Sequence, residues 1–141
     1  MKKKIRFALV MVVVVIIAII GVLMIGRTKA VIPSGSSAEI NAVLYSSGTG
    51  LTELHPDDVQ KQKILDLFKP LKAERISAVK TGGGDFLTIN VVIQTKDGAD
   101  LRTINVFQNS ERDNNVAIGD KLYKLENSGS LYDELRSILG L

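Results

Sequence analysis

The chain lacks cysteine and tryptophan and has a single histidine among its 141 residues. Without cysteine there is no disulfide framework, no thiolate metal centre and no cysteine to carry a lipid. With His55 alone, no histidine pair can hold a metal, and any hydrolytic triad has one candidate base. Acid is missing from the N-terminus. No Asp or Glu precedes Glu39, whereas Lys2, Lys3, Lys4, Arg6, Arg27 and Lys29 supply six of the 18 basic residues. The remaining 12 face 15 acidic residues, so the formal charge of +3 belongs to the N-terminal segment. That distribution excludes a basic nucleic-acid-binding body, because binding to phosphates needs clustered positive charge.

What the N-terminus does have is Phe7 to Gly26, 20 residues without a charged side chain. As a helix this run is ~30 Å long, the thickness of a hydrocarbon core. It is expected to be a transmembrane helix. A cleaved signal peptide is the competing reading, but its apolar region is shorter, about 7–15 residues, and Thr28-Lys29-Ala30 is a poor cleavage site. Lys2, Lys3, Lys4 and Arg6 outnumber Arg27 and Lys29, so the positive-inside bias predicts a cytoplasmic N-terminus and an exported remainder. The expected organisation is a basic stub and anchor over 1–26, a tether over 27–38 and an extracytoplasmic domain over 39–141. The partner implied for residues 7–26 is the lipid bilayer, and the expected location is the cell membrane, crossed once.

Residues 27–38 mix Pro, Gly and Ser, hence the tether. EINAVLYS and LTELH, around SSGTG, predict a first hairpin. A helix is expected from Pro56, with Asp57 and Asp58 at the positive end of its dipole and Pro70 stopping it. AERISAVK is expected to be extended. FLTINVVIQT and LRTINVFQN flank Lys96-Asp97-Gly98-Ala99, and Asp-Gly is a favoured hairpin turn. A turn at Asp97-Gly98 places Val91 opposite Ile104 and Asn90 opposite Asn105. Leu87, Ile89, Val91, Ile93, Ile104 and Val106 then share a core face. A small hairpin around Gly119-Asp120 and a last helix, capped by Ser130 and ended by Gly140, complete the chain. The fold class is α+β: a transmembrane helix, then a small antiparallel sheet with two helices packed on one face.

Little in the sequence points to catalysis. His55 reads as a residue leading into a helix, and the Asp57-Asp58 pair as capping. Gly82-Gly83-Gly84 lacks the Gly-Lys-Ser/Thr of a phosphate loop and reads as a turn. Glu111, Arg112, Asp113, Asn114, Asn115 and nearby Asp120 lack the alternating ligands of a calcium loop. No metal or cofactor is expected. The mixed sheet face, with Thr88, Asn90, Thr103, Asn105 and Phe107, is the one surface nominated for contact, since Asn is uncommon within strands. Asn90→Ala and Asn105→Ala are expected to leave stability nearly unchanged.

Taken together, the basic start and single span, HPDDVQKQKILDLFKPL, INVVIQTKDGADLRTINVF, IGDKLYKLEN and SLYDELRSIL resemble in layout the small uncharacterised extracytoplasmic domains of low-GC Gram-positive bacteria. That resemblance implies location and fold and brings no substrate. The expected function is a membrane-anchored, non-catalytic binding or interaction module, with a protein or cell-wall partner and no nucleic acid. An extracytoplasmic enzyme with a site built from loops is the alternative.

Overall fold

A computed structural model describes residues 2–25, 27–77, 84–108, 114–126 and 128–141. Helix α1 (Lys2–Ile25) is followed by strands β1 (Thr28–Ala30), β2 (Ser37–Ser47) and β3 (Gly50–Leu54). Helix α2 (Asp58–Phe68) leads to β4 (Lys72–Arg75), β5 (Phe86–Thr95), β6 (Gly98–Phe107), β7 (Asn115–Ile118), β8 (Lys121–Leu125) and α3 (Leu131–Leu139).

The sheet is not small. All eight strands join one antiparallel sheet in the order β1-β4-β8-β7-β6-β5-β2-β3. The expected hairpins form and pair edge to edge, and β4 and β1 extend them into a sheet larger than the small one expected. The segment read as a tether also contributes: Thr28–Ala30 is the edge strand beside β4, and Val31 and Ile32 are buried in the core. A stretch with proline and glycine can still cross a core when its few apolar residues face inward.

The expected membrane span is not supported. Among the described residues, no helix is long and apolar enough to cross a membrane. The expected transmembrane anchor and single-pass membrane location, with its cytoplasmic N-terminus, are therefore not supported.

Helices α2 and α3 pack on each other and against β2 and β6. Asp57 caps α2 by accepting from the Gln60 N–H, and the Gln60 side chain accepts from the Asp57 N–H in return. The cap thus lies one residue beyond the expected proline start. Gln60 Nε2 also donates to Ile138 O at 2.8 Å, tying the start of α2 to the end of α3. Ser130 does not cap α3; its hydroxyl donates to Glu134 instead. Gly140 ends α3 with φ 72°, a left-handed position that suits glycine. Ile64, Leu65, Phe68, Leu131, Tyr132 and Leu135 turn inward and meet Leu87, Ile89, Val91, Ile93, Ile104 and Val106 from the sheet.

The sheet must curl. Ala30 and Ser37 are seven residues apart, a span of at most ~25 Å. Their strands lie six places apart in the sheet, ~29 Å if it were flat. Arg102 marks the closure. It lies on β6, four places from β1, yet its Nη1 donates to Ala30 O at 2.7 Å and also to Val31 O. Its Nε donates to Asp100 at 3.1 Å, and the residue is only 6% exposed. No side chain spans four strand spacings, so the sheet bends until the two meet.

Arg102→Met should lower unfolding stability by about 2–4 kcal/mol, because it leaves the buried Val31 carbonyl and the partly buried Ala30 carbonyl without this donor. Urea denaturation of the full chain measures this; a loss under about 1 kcal/mol would show that the closure does not depend on the arginine.

Candidate functional site

The side-chain period of a strand is two, so β5 and β6 each present alternate residues to each face. With Ile89 and Ile104 in the core, Phe86, Thr88, Asn90 and Val92 on β5 and Leu101, Thr103, Asn105 and Phe107 on β6 occupy the other. The five nominated residues therefore share one face, opposite to the one that α2 and α3 cover.

Their pairing differs from the expected one. Thr95 pairs with Gly98 around a Lys96-Asp97 turn, which places Val91 opposite Arg102, Asn90 opposite Thr103 and Thr88 opposite Asn105. Gly98 has φ 126°, a conformation that disfavours side chains, so the glycine closes the ladder instead of sitting inside the turn. The shift moves each pairing by two residues and preserves both faces, which is why the core face matches the expected one while the Asn90–Asn105 pair does not form.

The register makes a polar row. Thr88 Oγ1 donates to Asn105 Oδ1 at 2.8 Å, and Asn105 Nδ2 donates to Asn115 Oδ1 at 2.9 Å. Three adjacent strands are thus joined by side chains as well as by backbone. Asn115 was expected in a loop; it opens β7 and is 2% exposed. Asn114, beside it, accepts from the Phe107 N–H at 2.8 Å. No sequence signal marks either residue, because a run of polar residues reads as loop until its strand partners are known. Asn90 stands apart: its Oδ1 is buried and has no hydrogen-bond partner. Phe107 is 7% exposed and packs on Phe86 with ring centroids 5.6 Å apart, so it supports the face from one end. At the other end Leu101 is 52% exposed.

The remaining sequence candidates do not assemble into a centre. His55 is exposed ahead of α2, and Asp57 and Asp58 serve its first turn. Among the described residues, no three of His, Cys, Asp and Glu converge as metal ligands. Gly82, Gly83, Glu111, Arg112 and Asp113 lie outside the described residues. One hydroxyl–carboxylate contact is well formed: Tyr45 donates to Asp85 at 2.7 Å. This bond, desolvation and the neighbouring Tyr132 phenol push the Tyr45 pKa up to about 12. A phenol so bound holds its proton and is a poor base. The pair ties the end of β2 to the residue leading into β5.

Two predictions follow from these contacts. Asn105→Ala should cost about 1–2 kcal/mol, since it removes two hydrogen bonds and leaves Asn115 Oδ1 buried without a donor. This corrects the expectation of a neutral change there. Asn90→Ala, which removes an unsatisfied buried oxygen, should cost nothing or stabilise slightly. Thermal melts compare the two, and equal effects would contradict the bonded row. For Tyr45, the folded pKa lies above the ordinary value of 10.0. Its stabilising contribution is therefore complete below about pH 10 and is lost as the pH rises through about 12. In an ultraviolet phenolate titration one tyrosine should titrate near pH 12, and Tyr45→Phe should abolish that late step.

The chain matches no protein-family model, no curated protein and no solved structure, so its functional reading rests on its own residues.

Proposed function

We propose that the protein is a non-catalytic binding module whose contact surface is the sheet face opposite to α2 and α3. The observation that carries this reading is the uneven treatment of the two faces. One is covered by both helices, while the other carries an ordered row of hydroxyl and amide groups beside an exposed leucine. A row whose members already bond to one another is held in place before any partner arrives, and that lowers the ordering cost of binding. The adjoining Thr103 and Leu101 add a hydroxyl and an apolar contact. Such a surface suits a partner that offers both hydrogen-bonding and apolar groups, as a protein or a cell-wall polymer does.

The test uses three tagged full-length baits: the wild type, Thr103→Arg at the centre of the face, and Lys63→Glu on the exposed side of α2. Partners identified by affinity capture from the native source are then titrated, purified, against each bait. Binding to the wild type and to Lys63→Glu, with at least a tenfold loss for a folded Thr103→Arg, is the expected result. A partner that binds Thr103→Arg as tightly as the wild type would place the contact surface elsewhere.

A further inference from the structure

A cavity lies away from the polar face, where the end of α1 approaches the end of β4 and the start of β8. It is an open cleft of about 840 Å³, within the ~300–1,000 Å³ usual for small-molecule sites. Two kinds of side chain meet there. Val22 and Leu23 of α1 enter it with exposures of 72% and 59%, and Ile76 and Leu122 face them as half-buried apolar residues. Around these sit three cations, Arg27, Arg75 and Lys121.

The cations outnumber the acids of the cleft, Glu74 and Asp120. None of the three takes part in an ion pair among the described residues, where the pairs are Lys69–Asp66 and Arg102–Asp100. Arg27 and Arg75 are held together through their backbone, with the Arg75 N–H donating to Arg27 O. The two arginines thus sit side by side at one rim of the cleft that Lys121 also lines. Guanidinium groups match the oxygens of phosphate and carboxylate in paired hydrogen bonds. Exposed apolar side chains beside them gain by being covered.

We propose that this cleft binds a single-chain amphiphile with an anionic head. The head lies against Arg27, Arg75 and Lys121, and the hydrocarbon chain covers Val22, Leu23, Ile76 and Leu122. An inorganic anion would leave the apolar residues uncovered, and an uncharged chain would leave the cations without a partner. The combination selects a molecule that has both parts.

The experiment uses the full-length chain in a neutral maltoside detergent, which itself supplies an uncharged competitor. Dodecyl phosphate is titrated by calorimetry, and stoichiometry is read by native mass spectrometry. The expected result is saturable one-to-one binding that weakens about tenfold in Arg75→Gln and in Lys121→Gln, the loss of roughly one charge-assisted contact each. Lys63→Gln, on α2, should bind as the wild type does. Raising the salt concentration should weaken binding to the wild type itself, so the charge requirement is tested even if a variant fails to fold. Absence of saturable binding, salt-insensitive binding, or full affinity in folded Arg75→Gln and Lys121→Gln would each overturn the proposal. So would inorganic phosphate binding as tightly as dodecyl phosphate, which would reduce the cleft to a simple anion site.

Discussion

The structure depends on a cation inside its core. Arg102 lies on the same face of β6 as Ile104 and Val106, at the end where the sheet opens, and is almost fully withdrawn from water. Removing a guanidinium from solvent is costly unless its donors are met. Here Nε is met by Asp100, and Nη1 by the carbonyls of Ala30, the last residue of β1, and of Val31. That requirement brings β1 round to β6 and so sets the curvature of an eight-stranded sheet. It also places Val31 and Ile32 where they fill the core. Satisfying one side chain thus closes the space that α2 and α3 cover.

A curled sheet with helices on one side is left with two unlike surfaces. The inner surface is apolar and packed, as non-directional burial requires. The outer surface is organised by directional contacts instead. Thr88, Asn105 and Asn115 bond in series across β5, β6 and β7, with the Phe86–Phe107 pair at one end. Asn is a poor strand residue partly because its amide competes for backbone hydrogen bonds. When the amides bond to each other across strands, that competition is removed. Their presence within the strands is then consistent with the sheet they occupy.

The sequence reveals local periodicity well and long-range partnership poorly. Alternation identified the core faces of β5 and β6, and the capping residues and Gly140 located the helices to within a residue or two. Pairing between hairpins left no comparable trace, so the sheet was expected to be small. Arg102 was overlooked because a charged residue at a core position reads as an interruption until its carbonyl partners, some 70 positions earlier, are known. Asn114 and Asn115 were hidden in the same way, inside a polar run that resembles a loop. The five nominated face residues share one side, since a register error of two residues preserves parity. The bonding among them differs from expectation, since it depends on which residues stand directly opposite.

The polar row also limits what its face can offer a partner. Thr88 spends its only hydroxyl proton on Asn105, and the Asn115 carbonyl is already occupied. Beside the row lie the Thr103 hydroxyl, which can still hydrogen-bond, and the exposed Leu101, which offers apolar contact. If this face is the contact surface, as proposed, recognition there works by fit against a fixed surface with few free donors, and apolar cover near Leu101 adds to it. The cleft beside α1 has the opposite character, with three cations that have no ion-pair partner among the described residues and with exposed valine and leucine. If both proposals hold, surfaces so different in kind do not serve one ligand: the first suits a partner laid across strands, and the second a small molecule held at one end by charge.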